Sequence, residues 1–475
     1  MKLKRTIWIV LCPILLTVMA CKKTTTPTSA ATNQISPSFS TEEIKQQRLA
    51  WNLKTLVEPY EHVGHTNPKW DGPATLALNE FARSRAGATD KDEPVAEIIS
   101  INIAAAVQAG CDDPLVDYLF IRYAMNQTNS PKSFSDAFND AQSGIQKSGY
   151  PSIRKFYVSL RAVQQYNSAY GYGSNVDFTK PKQLILDARK DLVDSLNDKT
   201  MPLEEVYEAC SQLLYSWPGD MNSFKDTYAQ IEKPLFANWP DEAISWLLKG
   251  EAYNLAGAIA RGNGYANTVT PEGWKGLAEN SAIAEKALQH AWELDPKNER
   301  IAVTMIWVEL GLNRGRDEMD LWFNRAMEDD PNDYDACSAK LNYVQPKWGG
   351  SVQDMLDFGH ECVRNPNWGG NVPLILADVH DAIQSQYIDD SEKTNYWKQA
   401  DVWPDIKSSF DRFFLINSNT VSWRHNYALY AYKCGQWDEF LHQITLFSSG
   451  TNYSYFGGKE AFDNMVRLAN ENTGK

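Results

Sequence analysis

AWELDP (residues 291–296), AMEDDP (326–331) and CVRNP (362–366) close three successive helical patterns, and their prolines, Pro296, Pro331 and Pro366, stand 35 residues apart. Proline cannot continue a helix and pushes the residue before it towards extended geometry, so each one marks an exit. Other columns keep the same register: Leu288, Phe323 and Phe358; Ala291 and Ala326; Gly315 and Gly350. A fixed period of this length is the signature of a repeat array. One unit reads as a helix, a glycine-containing turn, a second helix and a proline-marked exit.

The pattern extends towards the N-terminus. From residue 41 onwards apolar residues recur at helical spacing, broken every 15–25 residues by Pro, Gly, Asn or Asp. Helices are expected over Glu43–Tyr60, Pro73–Arg85, Pro94–Ala109, Pro114–Met125, Phe134–Gln146, Ile153–Tyr170, Lys182–Asn197, Leu203–Trp217 and Asp241–Ala260. Alternating strand patterns are missing, so the expected class is all-α. This many paired helices exceed one bundle and suit a stacked array.

The columns resemble the tetratricopeptide repeat (TPR), a helix–turn–helix unit of about 34 residues. In SWLLKGEAYNLAG, Trp246, Gly250, Ala252, Tyr253 and Gly257 fall where that repeat places Trp, Gly, Ala, Tyr and a turn glycine. In NYALYAYKCGQWDEF, Asn426, Ala428, Lys433, Gly435, Trp437, Asp438 and Glu439 match likewise. The resemblance covers 241–450 and is generic over 41–240. It implies an α-solenoid of TPR-like repeats, with an N-terminal hairpin region (41–240) and a TPR-like repeat region (241–475). Small side chains at Gly250 and Ala428 let paired helices approach, while Gly257 and Gly435 are expected to release the chain into turns. Arg261–Gly273 lengthens a turn that should be short. Gln345–Ser351, with its PKWGG core, is also similar to a motif of a TPR-like bacterial domain family.

At the N-terminus Lys2, Lys4 and Arg5 precede an apolar run from Ile7 to Met19, then Ala20 and Cys21. This is the layout of a secretory leader. Val18-Met19-Ala20-Cys21 resembles the lipobox of bacterial lipoproteins. That resemblance implies a signal peptide over 1–20 and a Cys21 thiol carrying palmitate-type acyl chains as a membrane anchor. The apolar run is too short to span a bilayer, which takes about 20 residues. Residues 21–40, rich in Thr, Ser and Pro, read as a flexible tether. Lys22-Lys23 lacks the Asp of an inner-membrane retention signal, so the expected address is the outer membrane.

The chain has a formal net charge of −14, and loss of residues 1–20 would take it to about −17. Such a chain is a poor partner for nucleic acid, which requires clustered Lys and Arg. After Cys12 and Cys21, five cysteines remain, with no C-x-x-C spacing. Cys337 with Cys362 is the one pair whose bonding is left open.

Three turns carry a tryptophan: Asn67–Gly72 (Trp70), Pro346–Gly350 (Trp348) and Pro366–Gly370 (Trp368). They read either as exposed sugar- or peptide-stacking rings or as caps on the apolar layer. With Trp246, Tyr253, Trp307 and Tyr430, expected on the first helices of repeats, they form the candidate binding surface. His62 and His65 lack a third metal ligand. His290 and His360 fall in equivalent columns and suit a helix face. His360-Glu361-Cys362 cannot form a relay, because adjacent helix residues diverge. No nucleophile elbow, H-E-x-x-H, Walker loop or dinucleotide fingerprint occurs. No catalytic residue, metal or cofactor is therefore expected. The expected function is a lipid-anchored scaffold that binds a protein or peptide partner. The alternative is a surface carbohydrate-binding lipoprotein that uses the loop tryptophans.

Overall fold

The computed structural model describes residues 40–474 apart from 91–92, 128–131, 171–178, 217–220, 263–267, 419, 421 and 448–449. The leader, Cys21 and all of the tether except Ser40 lie outside the described residues. The fold is all-α: helices follow one another from Thr41–Asn52 to Lys459–Thr473, with no strand among the described residues. They pack as consecutive neighbours in the manner of an α-solenoid.

Local chemistry sets the helix starts. Ser40 opens the first helix with a reciprocal capping box: Ser40 Oγ accepts from the Glu43 N–H at 3.3 Å, and the Glu43 carboxylate accepts from the Ser40 N–H at 2.7 Å. The buried Asp113 carboxylate accepts from the Leu115 and Val116 N–H groups at 2.9 and 3.2 Å, starting Pro114–Tyr123. Ser351 and Asp333 cap Val352–Arg364 and Tyr334–Tyr343 in the same way.

The repeat columns are structural. Pro296, Pro331 and Pro366 each stand two residues past a helix end, at Leu294, Asp329 and Arg364. Leu288, Phe323 and Phe358 are buried, as are Ala291 and Ala326. A Cβ at Gly250 would lie 2.4 Å from Leu288 Cγ, so two helices touch there through a missing side chain. Gly435, at φ +71°, follows Ser422–Lys433 and frees the chain for the next helix. Gly257 is a correction: it is buried inside Ala243–Arg261, and the helix runs four residues beyond it. Met221–Asn238 is a helix absent from the expected set; Pro234 lies inside it and removes one backbone donor without ending it.

The chain divides into two compact units. The first comprises the described residues up to Ala260 together with Ala282–Pro296; the second comprises Arg261–Ser281 and the chain from Lys297 on. The boundary expected after residue 240 therefore falls inside the first unit.

Both units contain the same kind of rung between helices that are not sequential neighbours. In the first, the Tyr157 hydroxyl donates to Glu205 Oε1 and the Tyr207 hydroxyl to Glu251 Oε1, each at 2.8 Å, tying Ser152–Tyr170 to Leu203–Tyr215 and that helix to Ala243–Arg261. In the second, Tyr334 donates to Asp378 and Tyr430 to Asp381, linking Tyr334–Tyr343, Ile375–Gln384 and Ser422–Lys433. Burial pushes the Tyr157 and Tyr430 hydroxyls well above the ordinary tyrosine range, with the neighbouring carboxylates adding to the effect, so both stay protonated as donors.

In the first unit one contact runs against sequential order. Helix Thr41–Asn52 and the π-turn Leu53–Val57 pack back on Leu203–Tyr215 and Ser152–Tyr170. Arg48 pairs with Glu208 across 160 residues and lies 3.5 Å from Glu205. This closure builds the cavity described next.

Candidate functional site

The seven aromatic candidates are all half-buried. Trp70 packs against the first unit's core, and its indole N–H donates to the His65 carbonyl at 2.8 Å. Trp368 meets Phe323 edge-on at 5.8 Å. The Trp348 indole nitrogen is buried, without a partner among the described residues. Trp70 belongs to the first unit and the other two to the second, so the three loops do not form one site within either unit. Tyr430 is committed to its rung with Asp381. Trp307 lies on Glu299–Leu312. Trp246 and Tyr253 do share a helix face: they are two turns apart on Ala243–Arg261, with Lys249 between them, 5.7 Å from the Trp246 ring and paired to Glu232 at 2.8 Å.

The histidines act as structural contacts. His65 pairs with Asp112 at 2.9 Å, a hydrogen bond that raises its pKa. His360 and the buried His380 both bond Asp405, at 2.9 and 3.2 Å, and His380 also meets the Tyr396 hydroxyl at 2.7 Å. The five described cysteines are buried free thiols; Cys362 hydrogen-bonds to Cys337, which lies 3.7 Å from the Met327 sulfur.

The most developed site is a cavity of about 140 Å³ inside the first unit, which the sequence reading passed over. Alternate helices converge on it: Asp71–Ala86 brings Arg85, Pro114–Tyr123 brings Arg122, Ser152–Tyr170 brings Arg154 and Arg161, and Leu203–Tyr215 brings Gln212. Each arginine sits where helical periodicity would place core. Arg85 is one turn after buried Phe81, and Arg122 is one and two turns after buried Tyr118 and Leu115. Arg154 and Arg161 are two turns apart on one helix and flank Tyr157 and Val158.

The guanidiniums differ in what holds them. Arg154 is 3% exposed and rests on neutral acceptors: its Nη2 reaches Asn52 Oδ1 at 2.7 Å, and its Nε reaches Thr55 Oγ1 at 3.1 Å. The π-turn Leu53–Val57 carries Thr55 into this position, with Asn52 immediately before it. Burial lowers the Arg154 pKa to about 10, leaving it cationic at neutral pH. Arg85 pairs with Glu208 at 2.6 Å and stacks 5.0 Å over Tyr157.

Arg122 and Arg161 are held by aromatic rings. Arg122 donates to the Tyr118 hydroxyl at 2.9 Å and lies 5.4, 5.6 and 5.3 Å from the Phe81, Tyr118 and Tyr123 rings. Arg161 lies 5.8 Å from Phe138 and makes a long 3.4 Å contact to Gln164, and its Nε is buried without a partner among the described residues. Neither forms an ion pair among the described residues. Burial lowers the Arg161 pKa, and the like charge of Arg122 lowers it further. Four arginines, Arg85, Arg122, Arg154 and Arg161, line the cavity, and no carboxylate does among the described residues.

No protein-family model matches this sequence, and no curated protein sequence is detectably similar to it.

Proposed function

We propose that this chain is a lipid-anchored scaffold of the bacterial outer membrane whose helical repeats bind a protein or peptide partner. Helical arrays present the faces of alternate helices as a shared binding surface. The observation that carries the reading is the character of that face in the first unit. Its alternate helices meet over arginines, glutamines and tyrosines where a purely structural interior would be aliphatic. Half-buried Trp246 and Tyr253, flanking Lys249, add aromatic surface of the kind enriched at interfaces. Cys21 supplies the anchor, by its resemblance to a lipobox.

The carbohydrate reading has less support, since Trp70 and the other two loop tryptophans lie in different units and do not form one site within either. Photo-crosslinking in intact envelopes tests the proposal. A crosslinker at Trp246 or Tyr253 should give a discrete adduct that the exposed control position Glu61 does not. Adducts at neither position, or equal adducts at all three, would contradict it. A Cys21→Ser chain should lose membrane attachment; retention in the membrane fraction would overturn the anchor.

A further inference from the structure

We infer that the arginine cavity of the first unit is a binding site for a doubly negative organic group, a dicarboxylate or a phosphate monoester. The inference depends neither on the lipid anchor nor on a protein partner.

Two guanidiniums on different helices, Arg122 and Arg161, open on one cavity without carboxylates of their own. Arg122 is exposed to solvent, whereas Arg161 is half-buried and its Nε is buried without a hydrogen-bond partner among the described residues, a desolvated donor that an incoming anion would satisfy. The chain carries a net charge of −14, yet among the described residues four arginines and no carboxylate line this cavity, with Glu205 and Glu208 reaching it through Tyr157 and Arg85. Glu208 is engaged by Arg48 and Arg85, and Glu205 by the Tyr157 hydroxyl, its other oxygen lying 3.5 Å from Arg48 without a hydrogen bond among the described residues. The charge left over is that of Arg122 and Arg161, with Arg154 behind them on neutral acceptors.

The donors are rigid. Arg122 lies among three rings and Arg154 is held by Asn52 and Thr55, so binding need order these side chains little. A planar guanidinium fork matches a carboxylate or phosphate with two parallel hydrogen bonds. The remaining wall is apolar, from Leu56, Phe81, Leu115 and Val158. A bare inorganic anion leaves that wall unused, whereas an organic body covers it. The same group can arrive free or as an acidic pair on a peptide.

Isothermal titration of the full chain against succinate, phenyl phosphate, a Glu-Glu-containing hexapeptide and neutral succinamide tests this. The dianions are expected to bind and the diamide not, with affinity falling as salt rises. Tighter binding of the hexapeptide than of succinate would identify a peptide source; the reverse would identify a free organic acid. Arg161→Gln and Arg122→Gln should each weaken binding by about tenfold or more. Arg161→Gln should not lower the melting temperature of the ligand-free chain, because burial and the like charge of Arg122 disfavour its cation, whereas Arg122→Gln also loses the bond to Tyr118 and its ring contacts and is read by binding alone. Arg161→Lys, which keeps the charge and loses the fork, should weaken binding by an intermediate factor. The proposal fails if no dianion binds at millimolar concentration, if succinamide binds equally well, or if the glutamine variants bind as the parent does.

Discussion

Gly250 and Asp117 show how single residues register in this fold. At Gly250 a methyl group would overlap Leu288, which is itself fully buried. Gly250→Ala is expected to cost about 1–3 kcal/mol in urea unfolding, against the helix-propensity gain Ala brings elsewhere. Asp117 is a carboxylate whose pKa is pushed up to about 6, first by burial and then by Asp113 and Asp112. Its folded value exceeds its unfolded value near 3.9. Its contribution to stability is therefore fully present below about pH 4 and is lost as pH rises through about 6. Asp117→Asn should flatten that slope and raise stability at pH 7 by on the order of 1–2 kcal/mol. A pH series of denaturant melts checks both. Thiols give a third expectation. Burial pushes Cys111 up to about 11 and Cys434 up to about 12, and raises Cys210 and Cys362 as well. None should alkylate in the native chain at pH 8, and all should in denaturant, as read by intact mass. Gly250 was legible in the sequence because its role is local to a helix pair. The turn expected at Gly257 was misread, since a glycine in a helix carries no mark of whether the helix stops there.

Among elements, helix existence was legible almost throughout, and rungs and closure were not. Periodicity and caps act within one helix, so Phe134–Lys147 and Leu203–Tyr215 could be read residue by residue. A rung joins a tyrosine to an acid 44–49 residues away, and nothing in either helix alone announces the partner. The rung makes a prediction of its own. Glu205 is fully buried, so Tyr157→Phe leaves a carboxylate short of a donor and should cost about 1.5–3 kcal/mol. Tyr207→Phe should behave similarly. Equilibrium unfolding of the two variants measures this, and a loss below a few tenths would remove the rung as a source of stability.

For the molecule as a whole, the 35-residue proline period was enough to give the all-α, hairpin-on-hairpin plan. The arginine cavity was out of reach, because it assembles from four helices and a π-turn that returns across the unit. The available clue was arginine at core register on several helices at once, most clearly Arg154 and Arg161, seven residues apart. A stacked plan also dictates how damage spreads, because each hairpin is stabilised mainly by its immediate neighbours. The most direct test is hydrogen exchange by mass spectrometry on Tyr334→Phe, which breaks one rung of the second unit. Faster exchange is expected in Tyr334–Tyr343 and Ile375–Gln384, with Lys459–Thr473 unchanged. Equal loss of protection in Lys459–Thr473 would mean one undivided core and would contradict the stacked-hairpin account.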